Sequence, residues 1–163
     1  MKPSVLTDLD SIDELYRKLD SRAEKLYDFV YYYNKYMKET KDYGTGNLLS
    51  APMAHILTNI EEEPGLTITQ LAKDRNRTTS AISQTVTALQ KDGYIYKEKR
   101  DGNDKELLLY PTEKGKAIAR AHKIYDIHDI TSTTNALLKN CSVAELDTFY
   151  KVLDEYLKIL LEE

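Results

Sequence analysis

Cysteine is nearly absent from this chain: Cys141 is alone among 163 residues. That excludes a disulfide framework and predicts a reducing, cytoplasmic setting. There is no tryptophan and only two phenylalanines, so the aromatic content rests on thirteen tyrosines. Six glycines and four prolines leave room for long helices. No apolar run approaches the roughly 18 residues that span a bilayer. The opening MKPSVLTDLDSIDEL has no apolar signal core and carries acids early, so neither membrane insertion nor export is expected. Also missing are a glycine-rich phosphate loop, a CxxC pair, a metal-protease helix and a Ser/His/Asp set at telling spacing. The sequence therefore predicts no catalytic residue, no enzyme activity and no cofactor. Runs such as Glu61-Glu62-Glu63 read as solvated helix surface.

What is present suits a globular chain, with 41% hydrophobic residues and enough length for one real core. The net charge of −4 by itself speaks against nucleic acid. Its distribution speaks for it. Between Lys73 and Lys105 stand eight basic and five acidic residues, a local excess of +3 on a body that otherwise carries −7. A basic region on an acidic body is the footprint of a small DNA contact with strong salt dependence.

Apolar steps of three and four from Ile12 through Leu15, Leu19, Leu26 and Val30 to Met37 predict one long amphipathic helix. Residues 1–10 are expected to be loose, and the helix to stop near Asp42, because Gly44 and Gly46 follow. Ser50 and Pro52 open a second helix that ends at Glu63-Pro64-Gly65. Thr67 with Gln70 forms a capping box for a short helix through about Lys73. After DRNRT, Thr78 or Thr79 caps a helix to about Asp92, with Ala81, Ile82, Val86 and Leu89 inward and Gly93 as its stop. Tyr94–Lys99 alternates as a strand, Asp101-Gly102-Asn103-Asp104 suits a hairpin tip, and Leu107–Tyr110 returns. Thr112 starts another long helix, with Ile118, Ala121, Ile124, Tyr125 and His128 near one face. Ser142 with Glu145 caps the last, whose leucines and aromatics recur at heptad-like spacing.

The expected fold is thus mainly α with a small β-hairpin wing. Residues 1–47 form an N-terminal dimerisation helix, 48–111 a winged helix-turn-helix, and 112–163 the C-terminal dimerisation helices. The terminal helices carry apolar stripes that one copy leaves uncovered, and a two-fold homodimer is the simplest remedy.

A helix of this length fits the major groove, and its first turns reach base edges. The outward set Thr79, Ser80, Ser83, Gln84 and Thr87 can read bases: glutamine pairs with adenine, and threonine methyls touch thymine. Arg75, Arg77 and Thr78 lie at the turn before it. Lys91, Lys97, Lys99 and Arg100 are placed to hold backbone phosphates, which positions a protein without reading sequence. The competing interpretation is a solvated helix whose hydroxyls have no role.

LTITQLAKD, SAISQTVTALQKDGYI, the charged wing and the closing PTEKG together resemble the DNA-binding core of the multiple-antibiotic-resistance regulator (MarR) family. The long helices sit where that family has its dimerisation domain. The resemblance implies a homodimeric transcription regulator, usually a repressor, on a pseudo-palindromic operator of double-stranded DNA. It implies release by a small, often phenolic, molecule. Carried over by position, Ser80, Ser83, Gln84 and Thr87 face the major groove, and Asn103 and Lys105 lie at or near the wing tip. Two departures stand out: RDGNDKE has no arginine past Arg100, and Gln84 stands where arginine is common. Lysine lacks the planar fork of arginine, so weaker minor-groove anchoring is expected.

For the switch, Tyr27, Tyr31 and Tyr33 with His55 are candidates to line a pocket for a small aromatic effector. The alternative is that the tyrosines pack a dimer core and His55 is structural. No metal ligand set is assigned. A metal-responsive variant of the family would use His122 and Asp126, which share a helix face, whereas His122 and His128 do not. A redox-responsive one would use Cys141, although family members that sense peroxide carry that residue on the first helix. A winged helix serving protein–protein assembly is the remaining alternative.

Overall fold

The computed structural model describes residues 9–100 and 102–161, with side chains described at 12–100, 102 and 106–161. Six helices and two β-hairpins follow one another: α1 (Leu9–Lys38), β1 (Thr40–Asp42), β2 (Leu48–Ser50), α2 (Ala51–Glu62), α3 (Ile68–Asp74), α4 (Thr79–Lys91), β3 (Ile95–Arg100), β4 (Asn103–Pro111), α5 (Glu113–Leu137) and α6 (Val143–Leu161). The fold is mainly α with a small hairpin wing, as the periodicities predict. The loose lead expected for residues 1–8 lies outside the described residues, and Leu9 and Asp10 are already helical.

Local signals explain most boundaries. The Thr67–Gln70 capping box is complete: Thr67 Oγ1 accepts from Gln70 N, and Gln70 Oε1 accepts from Thr67 N. Thr78 caps α4 and Thr112 caps α5, each hydroxyl accepting the backbone N–H three residues on. Ser142 and Glu145 repeat the box at α6. Ser50 is the N-cap of α2, but its side chain makes no capping bond, and Pro52 carries that start instead.

The unexpected element is the hairpin of β1 and β2, paired antiparallel from Thr40↔Ser50 to Asp42↔Leu48. Asp42 Oδ1 accepts from the N–H groups of Gly44, Thr45 and Gly46, which closes the turn at 2.9–3.0 Å. The glycines therefore turn the chain back on itself and do more than end α1. The hairpin contributes buried Tyr43 and Leu49 to the core, and its Asn47 accepts from Tyr94 Oη.

The core lies under the winged module. Leu57 and Ile60 of α2, Leu71 of α3, Val86 and Leu89 of α4, Leu109 of β4 and Ile118 of α5 are essentially inaccessible. β4 pairs with β3 on one side and bridges Leu66 on the other, through Gly65 N to Leu109 O and Leu109 N to Leu66 O. The wing is thus fastened to the start of α3. Gly115 explains the last residue of PTEKG. A Cβ there would sit 2.0 Å from the carbonyl oxygen of Tyr94, so only glycine lets α5 lie against the first residues of the wing. Thr112 completes that joint by donating through N to Tyr94 O and through Oγ1 to Gly93 O.

Two expected faces differ from the structure. Ala81 is exposed, since α4 packs through Ile82, Val86 and Leu89 alone. On α5 the buried line runs Gly115, Ile118, Ala119 and His122, while Ile124 and His128 are exposed.

Candidate nucleic-acid interface

α4 presents Thr79, Ser80, Gln84 and Thr87 to solvent, with Ser83 half-buried beside them. The opposite face is fixed by three buried aliphatic side chains, so the polar face has a defined direction. Thr78 lies just before it and is committed to the cap. Thr87 Oγ1 donates to Ser83 O at 2.8 Å, which ties down its hydroxyl proton. The turn before α4 is held by backbone bonds from Asn76 N to Lys73 O and Arg77 N to Ala72 O. Asn76 adopts φ +47, a conformation asparagine tolerates better than most residues.

The basic residues divide by what they already hold. Arg77 and Lys91 are exposed at the two ends of α4. The Arg75 guanidinium donates to Asn59 Oδ1 of α2. Arg100 Nη1 lies 2.7 Å from Glu106 Oε2 across the wing. Lys97 and Lys99 stand on β3 opposite Leu109 and Leu107, on the same side of the ribbon as buried Ile95. The wing's other face carries the stacked rings of Tyr96 and Tyr110, 5.5 Å apart. Asn103 and Lys105 belong to β4, but their side chains lie outside the described residues. Asn59 and Glu106 were not legible as partners of these arginines. The first needs α2 packed beside α3, and the second needs the wing register.

The four residues assigned to an effector pocket do not line one cavity of the single chain. Tyr27, Tyr31 and Tyr33 are 69%, 66% and 53% exposed on α1. Tyr33 stacks on Phe29, and Tyr31 meets Tyr32 edge-on. His55 sits instead at the junction of α2 and α5, its ring 4.9 Å from that of His122. Around that junction Tyr36 Oη donates to Asp129 at 2.6 Å, and Lys41 Nζ lies 3.4 Å over the Tyr36 ring. Burial, then the Asp129 carboxylate, raises the Tyr36 pKa far above its ordinary value. Burial pushes the Tyr43 hydroxyl up to about 12, helped by the charge of Asp126. Cys141 is a half-buried free thiol next to the start of α6.

Residues 49–107 match the sequence profile of the MarR family. An uncharacterized HTH-type transcriptional regulator, YhjH of Bacillus subtilis (strain 168), is 25% identical over 114 residues, which cover 69% of this chain and 65% of that protein. The match therefore spans just under two thirds of the relative's length. Streptococcus pneumoniae FabT, solved in complex with DNA, superposes with a TM-score of 0.62 at 19% identity, over 90% of this chain and 98% of that one. The zinc-responsive MarR family member ZitR of Lactococcus lactis gives 0.63 at 19% identity, over 88% and 97%. At such identities the superpositions establish a shared fold.

Proposed function

Residues 49–107 are a MarR-family domain, and from that premise we propose that the chain is a sequence-specific, DNA-binding transcription regulator, acting in the cytoplasm as a homodimeric repressor on a pseudo-palindromic operator. One observation carries the DNA reading: the only short polar face of α4 is turned outward by a buried aliphatic face, directly beside a lysine-bearing wing. Gln84 and Thr87 serve as base readers, and Ser80 and Ser83 as their neighbours. Arg77, Lys91, Lys97 and Lys99 hold phosphates and carry no sequence information.

The homodimer is supported by the terminal helices. Leu157, Leu160 and Leu161 of α6 and Phe29, Val30 and Tyr31 of α1 are between 47% and 66% exposed. Such contiguous apolar surface on a soluble fold calls for a partner, and a second copy presents the same stripes. Release from DNA by a small aromatic effector extends the reading; the α1 tyrosines supply flat rings with hydroxyls for it. Among the described residues, no helix is long and apolar enough to cross a membrane.

Fluorescence anisotropy on the chain's own upstream DNA, against scrambled DNA at two salt concentrations, tests the proposal. Selective and salt-sensitive binding is expected. Gln84→Ala should relax sequence preference, and Lys99→Ala should weaken every DNA equally, reducing the salt slope by about 1. Absence of selectivity even at low salt would leave the winged helix as a protein-assembly module.

A further inference from the structure

We propose that His55, His122 and Asp126 form a binding site for one divalent transition-metal ion of the zinc, cobalt or nickel type, bridging α2 to α5. One ligand atom from each of the three lies within 4.8 Å of the others. Asp126 Oδ2 stands 3.5 Å from His55 Nε2 and 3.5 Å from His122 Nε2. Donors bonded to zinc at about 2.0–2.1 Å in a tetrahedral site are roughly 3.3 Å apart. The two spacings are thus close to those of ligands around a common ion, and longer than a good hydrogen bond.

His122 supplies an independent observation. It is only 2% exposed, and its Nε2 is buried with no hydrogen-bond partner. A buried ring nitrogen left without a partner is destabilising, and a cation between the three groups removes that deficit. Its other nitrogen, Nδ1, lies 3.4 Å from Thr58 Oγ1. With the ring proton on Nδ1 and donated to Thr58, the tautomer is fixed and the Nε2 lone pair points to the site.

The surroundings fit an ion that enters from solvent. His55 and Asp126 are each 35% exposed, which leaves the outer side open, while Tyr43 closes the inner side with its ring edge-on to His122 at 5.0 Å. The His55 and His122 rings meet at 79°, so the imidazoles converge and do not stack flat. Two imidazoles and one carboxylate favour borderline first-row cations over magnesium or calcium. Three protein ligands leave the fourth position to water. A role for the ion as an effector would rest on the regulator reading above, whereas its binding does not.

The test is a titration of the chelator-treated full-length protein with cobalt(II) chloride, followed by the visible absorption of tetrahedral cobalt and then by displacement with zinc. One cobalt per chain is expected. Thr58→Val should weaken binding about 10-fold, and His55→Ala by at least about 100-fold. His55 is partly exposed, so its variant keeps the fold even if His122→Ala does not. No absorption at stoichiometric cobalt, or a spectrum and affinity unchanged in His55→Ala, would overturn the proposal. DNA is absent from the experiment, so its failure is separate from a failure of the regulator reading.

Discussion

The winged module and the terminal helices solve opposite problems. Between Tyr43 and Ala119 the chain covers most of its own apolar surface, with Leu48, Tyr96 and Leu107 outside, and Ala54, Leu57, Ile60, Leu71, Val86, Leu89 and Leu109 are completely hidden. None of the residues of α6 is buried, and α1 shows Leu15, Leu19, Leu26, Phe29 and Tyr31–Tyr33 to solvent. One region is finished by a single chain, and the other presents an unfinished surface. Apolar content does not distinguish them; the number of elements brought to one centre does. The difference teaches that the winged module closes its core with its own contacts, while the helices around it leave apolar surface uncovered.

The contrast can be broken hardest at Gly115. Alanine there places a Cβ against the Tyr94 carbonyl. The expected loss is about 3 kcal/mol or more, a fall in Tm of about 6–12 °C by circular dichroism. Leu57→Ala, beneath the same joint, should lose about 2–5 kcal/mol through its cavity. On α6 a change at a leucine should behave differently. Leu157→Glu is expected to leave the winged module folded, yet weaken self-association at least ~10-fold by light scattering across a dilution series. A fall in Tm at concentrations where the wild type is already monomeric would instead show that Leu157 supports the single chain.

Smaller changes sharpen the picture. Glu106→Gln releases Arg100 from its 2.7 Å ion pair. The freed guanidinium should raise affinity for any DNA a few-fold and steepen the salt dependence, with selectivity unchanged. The smallest effect is at the cap of α6, where bonds from Ser142 hold the Glu145 carboxyl below its ordinary 4.5. A depressed carboxyl lends stability above its unfolded pKa, and that stability is lost as pH falls through the folded value. Amide protection at the start of α6, measured against the intrinsic exchange rate at each pH, should therefore fall below about pH 4.5, and Glu145→Gln should abolish that dependence.

How far the sequence can be read follows the same division. Thr67 with Gln70, Thr78 and Thr112 announce α3, α4 and α5 because caps act within three residues. The wing is legible because Asp101-Gly102 and the alternation around it are local signals. The β1–β2 hairpin escapes such reading. Gly44 and Gly46 stop a helix and turn a hairpin with equal ease, and only the packing of Tyr43 and Leu49 decides. On α5 Ala121 and Tyr125 pack against the core as their spacing suggests, but Ile124 looks inward in sequence and is 50% exposed in fact. His122 and Asp126 are neighbours by spacing, but His55 joins them only once α2 lies across α5. The face of α4 is readable from its period except at Ala81, whereas the partners of Arg75 and Arg100 are not.

The glycine joint at the base of α5 has a mechanical consequence. A helix of 25 residues is about 37 Å long, and it is clamped at one end against the wing. A rod of that length turns a tilt of roughly 5° at its clamped end into a displacement of about 3 Å at its far end. Leverage works equally in reverse: a shift of that size where α5 meets α6 would re-aim the wing and α4 together, as one rigid head, by a few degrees.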